Sequence, residues 1–170
     1  MLVTGGARSG KSRFAESRLL ELAPRAPWGY FATAEPLDGE MAERIARHRE
    51  RRGNGWQTIE APRALTQAIT EYSLSLGGGL VDCLTLWLSN RIFDGASDEL
   101  ILDEVGALGR AIRAQPTPIV VVTNEVGAGI VPENPLARRF RDLAGFANQR
   151  LATHAHEVFL IACGLPLRLR

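Results

Sequence analysis

The stretch Gly5-Gly6-Ala7-Arg8-Ser9-Gly10-Lys11-Ser12 matches the phosphate-binding pattern G-x-x-x-x-G-K-[ST]. Glycines in such a loop allow positive φ angles, so consecutive backbone N–H groups can turn inward around the phosphates of a nucleotide. The lysine of the pattern, Lys11, then reaches the β- and γ-phosphates, and the hydroxyl of Ser12 ligates Mg²⁺. Lys11 is also the only lysine among the twenty basic residues of the chain. The stretch therefore predicts a site for a nucleoside triphosphate and Mg²⁺.

Asp82 is the first candidate to complete that site, because it directly follows the apolar pair Leu80-Val81. A carboxylate at the end of a buried strand downstream of a phosphate-binding loop is where a Walker-B acid holds Mg²⁺, directly or through water. An aspartate in this position can also cap the helix that is predicted to follow it. The metal role is favoured, and the capping role remains the alternative.

His48 is the second candidate, because it lies among arginines at positions 44, 47, 49, 51 and 52. Their positive potential disfavours the imidazolium form and keeps a neutral ring nitrogen available as a nucleophile. The same arginines would attract a triphosphate. A lone helical histidine is nevertheless more often a surface or packing residue, and a basic run is more often a solvated helix face. Both interpretations stay open on these residues alone.

Polar residues after a buried strand form a third candidate, Thr123-Asn124-Glu125 with the Gly- and Pro-bearing loop that leads to Asn134. Ligands of open α/β sheets bind at the carboxyl ends of strands, so these residues are well placed for substrate or nucleotide. Turn formation and helix capping explain several of them equally well. His154 and His156 alternate as strand or turn residues do, and we assign them no metal because no third ligand lies at a suitable spacing.

Composition restricts the remaining function classes. The formal net charge of +1 gives no reason to expect nucleic acid or a membrane as a partner. The two cysteines, Cys83 and Cys163, lie in apolar segments, so we expect reduced core thiols. There is no apolar run long enough to span a bilayer and no signal peptide, and a cytoplasmic protein is expected. At 170 residues, the chain is most simply one domain, residues 1–170.

Short apolar runs alternate with helical periodicity along the chain. Strands are predicted at residues 1–3, 28–32, 56–59, 80–82, 119–122 and 157–162, with residues 165–169 returning as a hairpin. Helices are predicted at residues 11–23, 37–52, 84–93 and 97–114 and from Pro135 to about residue 151. Another helix, with Leu65, Ile69 and Tyr72 on its face, is expected to end at Gly77-Gly78-Gly79. Ser97 and Asn134 are the expected N-caps, and Leu100 and Leu136 are expected on buried helix faces.

This alternation predicts an α/β fold, with a mostly parallel sheet, right-handed crossovers and helices on both faces. The carboxyl edge of such a sheet would collect the phosphate-binding loop, the polar loop at residues 33–36, Glu60 and Asp82. The elements therefore bring the candidate residues to one edge.

Five segments spread over nearly the whole chain resemble those of one known family. They are Gly5 to Ser12 with the following Arg13, Ala32-Thr33, Met41 to His48, Thr123 to Gly127, and Gly129 to Asn134. The family that they resemble is the bifunctional adenosylcobinamide kinase / adenosylcobinamide-phosphate guanylyltransferase family. The combination is far more specific than a phosphate-binding loop alone.

The resemblance implies a cytoplasmic enzyme of cobalamin biosynthesis with a RecA-like P-loop fold, assembled as a homotrimer. It implies phosphorylation of the aminopropanol hydroxyl of adenosylcobinamide by ATP or GTP, followed by GMP transfer from GTP to that phosphate through a guanylyl-histidine at His48. Lys11 is the other catalytic residue, and Ser12 and Asp82 hold Mg²⁺. The nucleotide-site residues that it implies are Gly5, Gly6, Ala7, Arg8, Ser9, Gly10, Lys11, Ser12, Ala32, Thr33, Ala34, Arg49, Glu50, Arg51, Arg52, Glu60 and Asp82.

Two alternatives remain. The first is a P-loop kinase of a small metabolite that uses Lys11, Ser12 and Asp82 but not His48, and attachment of GMP to the protein would distinguish it. The second is a GTP-binding switch, against which stands the absence of an Asn-Lys-x-Asp motif in a chain with a single lysine. Dependence of nucleotide turnover on a corrinoid acceptor separates the enzyme from the switch.

Overall fold

The computed structural model describes residues 1–35, 39, 43 and 52–170, and within them seven strands form one sheet. The strands are β1 (Leu2–Gly5), β2 (Trp28–Ala32), β3 (Trp56–Glu60), β4 (Gly78–Asp82), β5 (Ile119–Val122), β6 (Val158–Ala162) and β7 (Leu165–Arg168). Their order across the sheet is β3-β2-β4-β5-β1-β6-β7. Every neighbouring pair is parallel except β6 and β7, which are antiparallel. The predicted fold class is confirmed, including its C-terminal hairpin.

The helices of the described residues are α1 (Lys11–Leu22), α2 (Leu65–Tyr72), α3 (Leu84–Phe93), α4 (Asp98–Arg113) and α5 (Pro135–His154). Both predicted N-caps are confirmed. The Ser97 hydroxyl accepts from the Leu100 N–H, and the Asn134 side chain accepts from two N–H groups of the first turn of α5. None of these helices combines the length and apolar character needed to cross a bilayer. The predicted helix at residues 37–52 falls almost entirely outside the described residues.

Helices cover both faces of the sheet. On one face, Ala15 and Leu19 of α1 pack against apolar side chains of the strands: Val3, Tyr30, Leu80, Val120, Val122 and Ile161. On the other face, α2 to α5 bury a larger cluster against the strand residues Leu2, Phe31, Ile59, Val81, Ile119, Val121 and Val158. Burial of strands on both faces explains the continuous run Ile119 to Val122, which is typical of a central parallel strand.

The prediction that Gly77-Gly78-Gly79 ends a helix is wrong. A short 3₁₀ turn, Ser73–Ser75, ends the helical segment, and Gly78 and Gly79 are the first residues of β4. Close packing explains the glycines in this strand: a Cβ on Gly79 would lie 2.7 Å from a ring carbon of Phe31 and 2.8 Å from Cδ1 of Ile119. A glycine inside a strand often marks such an approach of neighbouring groups.

Four side-chain predictions also need correction. Leu100 and Leu136 are 48% and 45% exposed, because each lies in the first turn of its helix, beyond the edge of the core. His154 is the last residue of α5, not a strand or turn residue. Of the two cysteines, Cys83 is buried as expected, whereas Cys163 is exposed at the turn between β6 and β7.

Candidate functional site

The predicted phosphate-binding loop lies between β1 and α1 and leads directly into the helix. Gly10 has a φ of 96°, in the region that favours glycine, and α1 begins directly after it with Lys11. The Lys11 side chain is 9% exposed, and its Nζ donates a 2.9 Å hydrogen bond to the carbonyl oxygen of Gly6. The lysine ammonium is therefore held over the loop, at the positive end of the α1 dipole.

Ser9 links this loop to the C-terminal hairpin. The Gly164 N–H donates a 2.9 Å hydrogen bond to the Ser9 carbonyl oxygen. Cys163 and Gly164, with φ angles of 52° and 80°, form the hairpin turn between β6 and β7. The Ser9 hydroxyl itself is buried without a hydrogen-bond partner in the described part of the chain. The hairpin thus supports the loop from outside, and a buried hydroxyl inside the loop remains available to a ligand.

The strand register places the two predicted carboxylates in one row at the sheet's carboxyl edge. Glu60 pairs with Ala32, Ala32 pairs with Asp82, and Asp82 pairs with Val122. Side chains alternate across a sheet, so this row shares the face on which Tyr30 and Leu80 pack with α1. Glu60 is exposed and Asp82 is half-buried. With strands about 5 Å apart, the two carboxylates start from backbones roughly 10 Å apart.

Asp82 is held by a tyrosine rather than by a helix. Its Oδ2 accepts a 2.6 Å hydrogen bond from the Tyr30 hydroxyl. The residue at the cap position of α3 is Cys83, with no side-chain capping bond, so the alternative that Asp82 caps this helix is wrong. Burial and the adjacent Asp82 charge raise the pKa of Tyr30 far above its ordinary value, so the phenol stays protonated and donates.

Arg52 packs on the other side of Tyr30. Its guanidinium carbon lies 3.3 Å from the centre of the Tyr30 ring, a cation–π contact. Its Nη1 is buried and lacks a hydrogen-bond partner within the described residues. Tyr30 therefore contacts two predicted site residues, although the sequence analysis did not select it. Only the register of β2 against β4 would have pointed to it.

Thr33 braces the loop that follows β2. Its hydroxyl accepts from the Cys83 N–H and donates to the Cys83 carbonyl, both at 2.8 Å. Its carbonyl accepts from the Asn90 side chain, and its side chain is fully buried. The Thr33 hydroxyl is therefore committed to the protein, and of the predicted segment only its neighbours, Ala32 and Ala34, retain surface for a ligand.

Hydrogen bonds also hold the residues after β5 at the carboxyl edge of the sheet. The Glu125 N–H donates to the Gly5 carbonyl at 3.0 Å, which joins the end of β5 to the start of the phosphate-binding loop. The Asn124 amide donates to the Thr85 hydroxyl at 2.6 Å, and the Thr123 hydroxyl donates to Asn148 at 2.7 Å. These long-range contacts give Thr123 and Asn124 structural roles, and the turn-forming interpretation is supported at Glu125, whose Oε1 accepts from the Gly127 N–H at 2.8 Å. Asn148 and Thr85 are partners that the sequence analysis missed.

A charged cluster forms the rim beyond Thr33. Arg63 bonds Glu35 at 2.7 Å and Asp94 at 2.9 Å, and Arg91 bonds Asp94 at 3.1 Å and Glu104 at 2.9 Å. Hydrogen bonding from Arg63 holds the pKa of Asp94 below its ordinary value. Each of these five side chains thus has an ion-pair partner within the cluster, which fits a structural rim better than a substrate contact.

The remaining predicted residues divide into two groups. His48, Arg49, Glu50 and Arg51 lie outside the described residues, so their predicted roles stay predictions. Ala7, Arg8 and Ser12 occupy the phosphate-binding loop and the first turn of α1. Within the described residues, no three His, Cys, Asp or Glu side chains are grouped as a metal site would require.

Comparison with known proteins gives matches along the full chain. A family model described as cobinamide kinase / cobinamide phosphate guanyltransferase matches residues 1–169. The bifunctional adenosylcobalamin biosynthesis protein CobU of Salmonella typhimurium is 43% identical over 182 aligned positions, which cover 100% of this chain and 99% of that protein. CobU of Escherichia coli is 40% identical with the same coverage. The bifunctional protein CobP of Pseudomonas aeruginosa is 42% identical over 170 positions, 99% of this chain and 96% of that protein.

Proposed function

The chain belongs to the cobinamide kinase / cobinamide phosphate guanyltransferase family, and we propose that it phosphorylates adenosylcobinamide and then transfers GMP onto the new phosphate. Family membership confirms the resemblance and makes the chain a transferase of cobalamin biosynthesis. The observation that carries the proposal is the loop between β1 and α1, where the Gly6 carbonyl holds Lys11 at the start of α1, on the sheet face that also carries Asp82. The proposal treats residues 1–170 as one catalytic domain.

For the kinase step, residues 5–12 hold the phosphates of ATP or GTP. The acceptor hydroxyl attacks the γ-phosphorus, the bond from that phosphorus to the β–γ bridging oxygen breaks, and the hydroxyl proton is released. Lys11 stabilises the negative charge that develops on the phosphoryl oxygens. Because its ammonium is already fixed by the Gly6 carbonyl, little reorganisation is needed when nucleotide binds.

The residues around the loop fit Mg²⁺, which prefers oxygen ligands and few protein groups. Ser12 offers a hydroxyl in the first turn of α1, and Asp82 offers a carboxylate on the sheet face that α1 covers. Bound Mg²⁺ would neutralise part of the charge on the β- and γ-phosphates. We propose Ser12 and Asp82 as the residues that hold it, directly or through water.

For the guanylyl step, we propose His48 as the nucleophile. A neutral ring nitrogen attacks the α-phosphorus of GTP, the bond to the β-phosphate oxygen breaks, and pyrophosphate leaves. An oxygen of adenosylcobinamide phosphate then attacks the same phosphorus, the P–N bond breaks, and His48 is regenerated. Arg52 would bind the nucleotide in the same step, because its buried Nη1 has no partner among the described residues and suits a phosphate or guanine acceptor.

The other nucleotide contacts are proposed from the same row of strand ends. Ala32 and Ala34 would line the guanine nucleotide, Thr33 would hold that segment against Cys83, and Glu60 would add a carboxylate. Arg49, Glu50 and Arg51 complete the proposed set. Because both reactions consume nucleoside triphosphates, we place them in the cytoplasm.

A homotrimer remains a proposal that rests on the family resemblance. The described surface offers an edge for assembly, since β7 pairs only with β6 in the described sheet. Leu165, Leu167 and Leu169 are 71%, 57% and 57% exposed along that edge. Exposed apolar residues on an unpaired edge strand commonly mark a contact with another chain.

Transfer of two differently labelled phosphates tests the proposed function. The protein is incubated with adenosylcobinamide, and label in the corrinoid is measured after addition of γ-labelled ATP or, for the pre-phosphorylated acceptor, α-labelled GTP. We expect both labels to reach the corrinoid, and Lys11→Ala to lower the γ-transfer at least 100-fold. Release of γ-phosphate to water at the same rate with and without corrinoid would instead identify a hydrolysing switch.

A further inference from the structure

Tyr30 is placed between two groups that serve different parts of the proposed chemistry. Its hydroxyl bonds Asp82 Oδ2 at 2.6 Å, and its ring centre lies 3.3 Å from the guanidinium carbon of Arg52. The residue is 7% exposed and also packs edge-on against Trp56, with ring centres 6.4 Å apart. A side chain confined in this way can hold both of its partners in fixed orientations.

The hydroxyl contact restrains the orientation of the Asp82 carboxylate. An ionised carboxylate only accepts hydrogen bonds, so the Tyr30 phenol must be the donor. The bond to Oδ2 restrains rotation of the carboxylate, so Asp82 would present its remaining lone pairs to Mg²⁺ or one of its waters in a fixed orientation. Partners of this kind orient metal-binding carboxylates, and their loss usually weakens metal affinity 10- to 100-fold.

The ring contact acts on a different partner. The N–H groups of a guanidinium lie in its own plane. When an aromatic ring covers one face of the guanidinium, these N–H groups remain free to bond a ligand at the guanidinium's edge. Arg52 has a buried Nη1 without a partner in the described residues, which suits such a role. Its stacking partner is the same tyrosine that orients Asp82.

We propose that Tyr30 is a positioning residue shared by the two reactions, its hydroxyl orienting Asp82 for Mg²⁺ and its ring orienting Arg52 for the guanine nucleotide. The inference rests on the proposed function, in which Asp82 and Arg52 hold those ligands. Tyr30 itself contacts neither ligand and is therefore not a catalytic residue.

Two substitutions separate the two contacts. Tyr30→Phe removes the hydroxyl and keeps the ring, whereas Tyr30→Leu removes both. Affinity for Mn²⁺, used as a spectroscopic substitute for Mg²⁺, is measured by electron paramagnetic resonance with a non-hydrolysable GTP analogue bound. Affinity for a fluorescent GTP analogue is measured separately in EDTA.

Tyr30→Phe should lower Mn²⁺ affinity about tenfold and leave metal-free nucleotide affinity within about twofold. Tyr30→Leu should in addition lower metal-free nucleotide affinity about fivefold.

Asp82→Asn and Tyr72→Phe complete the design. Tyr72 is half-buried at the end of α2, and its substitution should change neither affinity. If Asp82→Asn lowers Mn²⁺ affinity and Tyr30→Phe does not, the inference is overturned while the proposed metal role of Asp82 stands. If Asp82→Asn leaves Mn²⁺ affinity unchanged, the metal role and the inference both fail. Unchanged nucleotide affinity in a folded Tyr30→Leu variant would overturn the role of the ring.

Discussion

Replacing Thr33 with valine should destabilise the protein by about 2 kcal/mol, although the two side chains have nearly the same shape. The Thr33 hydroxyl bonds both the N–H and the carbonyl of Cys83. The Cys83 carbonyl keeps the Leu86 and Trp87 N–H groups, at 3.2 and 3.3 Å, as partners. The Cys83 N–H loses its acceptor, and an unsatisfied buried donor costs about 1–3 kcal/mol. The net effect is therefore one unpaired buried group.

Urea unfolding at equilibrium measures this loss. With a urea dependence of roughly 2 kcal/mol per molar, the midpoint should fall by about 1 M without a change in slope. Thr70→Val is the matched control, because Thr70 is exposed on α2 and, among the described residues, its hydroxyl bonds only the Thr66 carbonyl. The control should stay within about 0.5 kcal/mol of the wild type. Equal midpoints for the two variants would refute the argument that Thr33 braces Cys83.

Three further outcomes are expected. Gly79→Ala should lower stability by about 1–3 kcal/mol in urea unfolding, since its Cβ would meet Phe31 at 2.7 Å. Gly145→Ala on α5, where a Cβ meets nothing within 4 Å, should be neutral or stabilising by the same measurement. Asp94 has its pKa lowered below 3.8 on folding, so its stabilising contribution is present above that pH and is lost as the pH falls through the lower folded value. The free energy of unfolding of Asp94→Asn should therefore fall less than that of the wild type between pH 5 and about pH 3. An equal fall in both proteins would contradict the predicted direction of the pKa change.

Local patterns in the sequence were sufficient for most of the elements. The loop from Gly5 to Ser12 can be recognised from its local sequence, because glycine, lysine and serine must stand at fixed spacings to surround a phosphate. Ser97 and Asn134 ended up as caps because short polar side chains satisfy the first N–H groups of a helix without help from the rest of the fold. The run Ile119 to Val122 predicted a central strand for a similarly local reason.

Contacts between distant segments could not be predicted in the same way. Tyr30 and Asp82 are 52 positions apart, and their hydrogen bond depends on the register of β2 against β4. The bond from Gly164 to Ser9 depends on how the hairpin packs against the phosphate-binding loop. Gly78 and Gly79 resembled a helix stop because their real function, close packing in β4, is visible only once their neighbours are known. The elements were thus predictable from local patterns, and the long-range contacts that position them were not.

Covalent labelling with GTP tests the central claim most directly. The protein is incubated with Mg²⁺ and GTP labelled on the α-phosphorus, and protein-bound label is tested for acid lability and base stability in the wild type, His48→Asn and the control His156→Asn. We predict acid-labile, base-stable label on the wild type and the control and none on His48→Asn. An equal amount of such label on His48→Asn, or none on a wild type that still passes GMP to the corrinoid phosphate, would contradict the proposed guanylyl-histidine route.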